Sequence, residues 1–280
     1  MQEAVDARHK AIRRQHVVAK VGDEPHQQRV GQVGRKALHG GGHGDAHDAA
    51  HHLEIGAHIG DVEIACGMAL AAHVRQGKKV AILHLTPGEK GHPTLPPEEY
   101  AKQKIAEARE AASVYGAQLY FLDYRDGELP VNDEVQFQIC DVIRACRPQA
   151  ILTHWQGSIH KDHTACALNI PNAIFYAAIK GFVRKDPAHW VPRLYFAENW
   201  EDREGFEPEI FLEVTEEDIA LWQTAAEKLE LFRGGVSRFP YVEYYKALAR
   251  VRGAEIGCQY AVAFAVPPSA HRRRVTSLLG

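Results

Sequence analysis

The stretch LEIGAHIGDVEIACG, residues 53–67, decides the fold. It opens on a short run of strand character, Leu53–Ala57, and turns through His58 and Gly60 into Asp61–Arg75 (DVEIACGMALAAHVR). There the apolar residues recur at helical spacing until Gly77 stops them. A strand feeding a helix through a tight turn is the first half of a βα unit, and the downstream sequence repeats the theme. KKVAILHLT (78–86) reads as a buried strand. PPEEYAKQKIAEAREAASVYG (96–116) reads as a helix with Pro97 and acids in its first turn and Gly116 at its end. AQLYFLD (117–123) is the next strand, NDEVQFQICDVIRACR (132–147) a helix with Asn132 as N-cap, and PQAILTHW (148–155) another apolar strand. Alternation of this kind predicts an α/β fold, a mostly parallel sheet with helices on both faces.

Further on, RLYFAENW (193–200) and EIFLEVT (209–215) read as strands expected to pair with each other, and EEDIALWQTAAEKLELFR (216–233) as one amphipathic helix. The aromatics Phe239, Tyr241, Tyr244 and Tyr245 stand at helical spacing and read as core packing, with a substrate rim or a subunit contact as the alternatives. The first strand is more polar than a central parallel strand should be, since both of its faces ought to be covered.

Composition sets the outer limits. The chain has 280 residues, 45% hydrophobic and 25% charged, enough to bury a real core. A formal charge of −3 with interspersed signs gives no electrostatic reason to expect nucleic acid or an anionic membrane, so a small neutral or polar substrate is the expected partner. The longest apolar runs fall far short of the ~20 residues that span a bilayer, and the N-terminus lacks a signal-peptide core, so a cytoplasmic location is expected. The five cysteines are scattered and never form C-x-x-C, which reads as buried small hydrophobes.

Residues 1–52, rich in Gln, His, Gly and Arg, cannot build a core and read as a disordered or non-native leader. Its histidines 39, 43, 47 and 51 have helical spacing, but the glycines among them argue against a metal-binding strip. The expected domain runs from 53 to 266, followed by a short basic tail, 267–280. Oligomeric state stays open, a homo-oligomer included.

In sheets of this kind ligand sites lie beyond the carboxyl ends of the strands. Four segments qualify: 58–63, 86–92, 123–129 and 154–163. The first carries His58 and Asp61, and the last His160, Asp162 and His163 (SIHKDH). Two imidazoles and a carboxylate are the donor number that a catalytic zinc takes from protein.

The segments GAHIGDVEIACG, LTPGEKG, YRDGEL, THWQGSIHKDH and RGAEIGCQYAVAF, in that order, resemble the PIG-L/LmbE-like N-deacetylases, whose motifs are A-H-P-D-D-x-E and H-x-D-H. The resemblance implies a Rossmann-like fold and removal of acetyl from an N-acetylglucosamine-type conjugate with Zn2+ or another divalent metal. It implies that His58, Asp61 and His163 hold the metal, and that His160 is the charged histidine that steadies the oxyanion and protonates the leaving amine. Asp162 would orient its neighbours, and Glu89 and Asp126 would line the sugar pocket.

Two departures matter. The family's general base, the first aspartate of D-D, is Gly60 here, and its proline is Ile59. Loss of a positioned base costs roughly 10²- to 10⁴-fold. The expected outcomes are a slow deacetylase, one that recruits Glu63, Glu89 or Asp126, or a catalytically impaired metal-containing sugar-binding protein. For Glu63 an ordinary helix-dipole role competes. Restoring the acid with Gly60→Asp is expected to raise activity. Val262 stands where relatives carry an acid. A dinucleotide oxidoreductase is set aside because no G-x-G-x-x-G follows the first strand.

Overall fold

The computed structural model describes residues 38–39, 50–202 and 204–271. The strands are β1 Leu38–His39, β2 His52–His58, β3 Val80–Thr86, β4 Gln118–Phe121, β5 Ala150–His154, β6 Arg193–Ala197, β7 Ile210–Val214 and β8 Tyr260–Ala265. They form one mixed sheet in the order β1-β4-β3-β2-β5-β6-β8-β7. The run β4-β3-β2-β5-β6 is parallel; β1 pairs antiparallel with β4 and β8 with β6, and β7 pairs antiparallel with β8 and so runs with the parallel set. The helices are α1 Asp61–Ala65, α2 Gly67–Arg75, α3 Pro97–Tyr115, α4 Asp133–Cys146, α5 Lys161–Ala178, α6 Glu216–Ala226 and α7 Tyr241–Ile256. The α/β architecture with both faces covered is as the alternation predicts. Ile139 and Ile143 of α4 and Ile170 of α5 fill one core, and Leu70 of α2, Ala111 of α3 and Trp222 of α6 fill the other.

Strand β2 explains its own polarity. It is central, and all seven residues are buried, yet the sequence alternates strictly. Leu53, Ile55 and Ala57 enter the α4/α5 core. With a two-residue period, His52, Glu54 and His58 then share the opposite face. The expectation of a continuously apolar strand fails because one face of β2 leads to a polar centre.

Local signals at helix ends hold. Asn132 Oδ1 accepts the Val135 N–H at 3.0 Å, and α3 ends at Gly116. Three sequence expectations are corrected by contacts from distant residues. The segment 61–75 is two helices, because the Trp222 indole donates to the Glu63 carbonyl at 2.9 Å, the acceptor that Gly67 N–H would take in an unbroken helix. Strands β6 and β7 do not pair with each other, because β8 inserts between them; its Val262 pairs with Leu212. The helix expected over 216–233 stops at Ala226 and resumes as a 3-10 turn, Glu230–Arg233.

Among the described residues no helix is long and apolar enough to cross a membrane. All five cysteines are free, and Cys66, Cys140, Cys146 and Cys166 are buried. The expectations for residues 1–37 and 40–49 and for the basic tail from 272 fall outside the described residues. His51, which closes the leader's histidine series, accepts the Lys79 N–H through Nδ1 at 3.2 Å.

The chain lays β3 and β4 on one side of β2, then crosses to place β5 and β6 on the other. Strand order therefore reverses between β2 and β5, which directs a crevice to their carboxyl ends.

Candidate metal centre

Strands β2 and β5 end on His58 and His154, so both histidines lie at that reversal. The chain leaves His58 through Gly60, at φ +109°, a backbone region where L side chains are strained. Asp61 then opens α1 and folds back. Its Oδ2 accepts the His58 N–H at 2.7 Å and lies 3.1 Å from His58 Nδ1, 3.2 Å from His154 Nε2 and 3.4 Å from His163 Nε2. One carboxylate oxygen thus sits among three imidazoles.

More acids surround that group. His58 Nε2 is 3.3 Å from Asp126 Oδ1 and 3.4 Å from Asp162 Oδ2, yet it makes no hydrogen bond with either. His163 Nδ1 contacts Ser158 Oγ at 3.1 Å and Asp202 Oδ2 at 3.5 Å. Burial by itself would drive His58 and His163 towards neutrality. Asp61 and the other carboxylates outweigh it, raising His58 well above its usual value and His163 to about 9. Burial likewise works against ionised Asp61, and His163 and His58 outweigh it to hold the acid well below the carboxylate range. The centre therefore carries excess negative charge that calls for a cation.

The donors fit such an ion. Among the described residues, His58/His160/His163, Asp61/His154/His163, His58/Asp126/Asp162 and His163/Glu201/Asp202 each have ligand atoms within 4.8 Å of one another. Nitrogen and oxygen donors on several elements, with an orphaned buried imidazole nitrogen, suit a borderline divalent metal such as zinc.

The residues expected from sequence lie close together here with distinct contacts. His160 caps α5 by accepting the Asp162 N–H through Nδ1 at 3.2 Å, which leaves its proton on Nε2. Its ring centroid is 4.7 Å from that of His58 and 4.8 Å from that of His163. Burial, then His58 and His163, lowers its pKa from the usual histidine value. Asp162 is fully buried and accepts the Gly127 and Leu129 N–H groups at 2.6 and 3.3 Å, tying the 126–129 loop to His58. Glu89 accepts the Asp126 N–H through both oxygens, at 3.2 Å each, and so braces Asp126. Glu63 is buried with Oε2 on the Gly60 N–H at 2.9 Å.

A crevice of about 200 Å³ opens over the centre, walled by Trp200, Phe232 and Tyr241 and touched by Lys104 and Glu201. A Cβ added at Gly60 would lie 3.3 Å from Phe232 Cζ and 3.5 Å from Leu231 Cδ2, so apolar groups close the space beside it. Tyr241 faces this crevice, whereas Tyr245 is core, with its hydroxyl on Asn199 Oδ1 at 3.1 Å.

Sequence reasoning did not single out His154, Lys104, Glu201 or Asp202. The strand-end segment 154–163 opens on His154 but gave it no role, and the same rule applied to the loop after β6 would have reached Glu201 and Asp202. Lys104 is a buried lysine in the Tyr100–Lys104–Ala108 stripe of α3, a polar interruption of an apolar face. Burial lowers its pKa, with Asp61 and Glu63 opposing.

Comparison with known proteins bears on the same region. Residues 53–174 match the family model PIG-L, GlcNAc-PI de-N-acetylase. A 4-oxalmesaconate hydratase of Pseudomonas putida is 24% identical over 212 residues, covering 72% of this chain and 80% of that protein. A diacetylchitobiose deacetylase of Thermococcus kodakarensis is 30% identical over 142 residues, 48% of this chain, which spans about half (52%) of that protein. Among solved structures, a conserved protein of Thermus thermophilus superposes with a TM-score of 0.69 at 25% identity, covering 80% of this chain and all of that one.

Proposed function

On the premise that residues 53–174 are a PIG-L family domain, we propose that this protein is a divalent-metal-dependent N-deacetylase. Its substrate class is an N-acetylglucosamine-type or similar N-acetylated conjugate, and zinc is the first metal to test. The observation that carries the reading is the single Asp61 oxygen within 3.4 Å of three imidazole nitrogens, beside an open crevice. His58, Asp61 and His163 would hold the ion, with His154 alongside. Bound there, a divalent cation supplies an acidified water and polarises the amide carbonyl.

The chain's own groups would do the rest. Trp200 and Tyr241 offer flat faces for a sugar ring. The His160 Nε2–H is a donor for oxygen charge that develops as the amide is attacked, and for the departing amine. Asp162, held by two backbone N–H groups, sets a carboxylate 3.4 Å from His58 Nε2. Gly60 brings no base. Of the acids weighed as replacements, Glu63 and Glu89 are occupied by the N–H groups of Gly60 and Asp126. Asp126 accepts the Lys90 N–H through Oδ2. Glu201 touches the crevice and, among the described residues, has no hydrogen-bond partner, so it is the acid assigned to take the proton from water.

The test is incubation of the purified protein and zinc with N,N'-diacetylchitobiose and N-acetylglucosamine conjugates, with assay of free amine and acetate. Release above a metal-only blank supports the reading, and its absence sinks it in favour of a sugar-binding protein. Glu201→Gln is expected to lower kcat about 10²- to 10⁴-fold with metal content unchanged; an unaffected kcat removes Glu201 from the mechanism.

A second reading is a hydratase, favoured by the relative that matches 72% of this chain. A centre without the family's base and with a free glutamate also suits moving water across a carbon-carbon double bond. Hydration of 4-oxalmesaconate, followed by its loss of absorbance, with no amine released from acetylated sugars, would select it.

A further inference from the structure

The metal crevice lies at the carboxyl ends of β2 and β5, and a second cavity lies at their other ends. It measures about 330 Å³ and is bordered by the first residues of β2, β5 and β6: His52, Ala150 and Arg193. Six residue steps along β2 separate His52 from His58, about 20 Å at strand rise. The cavity has a structural origin. Strand β8 pairs with β6 only at Phe196↔Ala265 and Ala197↔Phe264, so the sheet splays beside the Arg193–Tyr195 half of β6, and Ala69 and His73 of α2, with Gln76 just after it, border the opening.

We propose that this cleft is a second ligand site, separate from the metal centre, for a small aromatic carboxylate. Its lining divides in two. Leu152, Tyr195, Leu212 and Phe264 form an apolar wall, while Arg193 and Lys78 supply positive charge, and among the described residues no aspartate or glutamate borders it. Among the described residues neither cation has a carboxylate partner, so the charge is available to a ligand. A guanidinium takes a carboxylate in a two-pronged hydrogen bond.

A buried polar group points the same way. His52 is 4% exposed, and its Nδ1 has no hydrogen-bond partner. Its ring lies 4.1 Å from that of His73, whose Nδ1 is held by the Ala69 carbonyl at 2.6 Å. An unpaired buried nitrogen is costly, and the residue that carries it borders the cleft. Burial, then His73 and His51, lowers the His52 pKa to about 3, so the ring is neutral and adds no charge of its own. The volume falls at the small end of ligand pockets, which run from about 300 Å³ upward. The Tyr195 and Phe264 rings, with centroids 6.0 Å apart, suit a planar guest.

The experiment is calorimetric titration of the full chain with 1-naphthoate, with 1-naphthalenemethanol as the uncharged isostere. One saturable site for naphthoate is expected, with the alcohol at least about tenfold weaker. Arg193→Gln, at an exposed position, should weaken naphthoate about tenfold with unchanged circular dichroism, and Leu212→Trp should abolish binding by filling the cleft. His58→Ala, which disables the metal centre, should leave naphthoate binding intact. No saturable binding by the wild-type chain, equal binding of the alcohol, or loss with His58→Ala but not with Arg193→Gln would each overturn the proposal.

Discussion

Gly60 shows how a substitution in a motif reshapes its surroundings. A side chain there must adopt φ near +109° and meet Phe232, so the expectation that Gly60→Asp simply restores a base has to be revised. The added acid starts from a strained backbone, at about 1–3 kcal/mol. Gly60→Ala isolates that cost: urea unfolding should show a loss of about 1–3 kcal/mol, and an unchanged midpoint would refute the strain.

Glu54 gives a second prediction at this scale. It is fully buried, and neither oxygen has a hydrogen-bond partner. Burial, then Glu63, raises its pKa well above 4.5. The folded chain therefore keeps a proton that the unfolded chain releases above about pH 4.5. By linkage, stability falls as pH rises from there towards the raised value. Glu54→Gln removes that dependence, and its advantage should grow by up to about 1.4 kcal/mol per pH unit in unfolding measured between pH 5 and 8. An advantage that does not change with pH would contradict a neutral Glu54. At this scale His58, Asp61 and His163 were legible because they follow apolar strand segments. His154 fell in the strand-end segment 154–163 but carried no motif role, and Lys104 lay inside a helix, where spacing says nothing about which cavity a side chain meets.

At the scale of elements, helix ends were readable because their causes are local. Asn132 and Gly116 each act on backbone within a few residues. The break between α1 and α2 was not, since the Trp222 indole that takes the Glu63 carbonyl is 159 residues away. The pairing of β6 and β7 failed for the same reason: both contact β8, which comes later in the chain. The break makes its own prediction. A Cβ at Gly67 would lie 2.4 Å from Trp222 Cδ1 and 2.9 Å from the Tyr115 hydroxyl. Gly67→Ala should therefore cost about 1–3 kcal/mol by overpacking, read as a lower denaturation midpoint. A gain in stability, as helix propensity alone would give, would mean the indole does not set the break.

Taken whole, the molecule places its chemistry where its topology reverses. The parallel order on either side of β2 brings His58 and His154 together, and α5 adds His163 from its first turn. The α/β class and the meeting of the two distant loops were legible from alternation and the strand-end rule. Asp126, Asp162 and Asp202 meet two imidazoles from a loop, the first turn of α5 and the segment after β6, and of these only Asp202 went unnamed in the sequence, since no local pattern encodes the path of its segment.

The most direct measurement is the metal content of the purified protein by mass spectrometry, beside Asp61→Asn and with folding checked by circular dichroism. After equilibration with micromolar zinc and removal of free ion, the wild type should hold one equivalent of divalent metal per chain and the folded Asp61→Asn variant almost none. A wild type without metal, or a variant that keeps the full equivalent, would contradict a centre built on Asp61 and its three imidazoles.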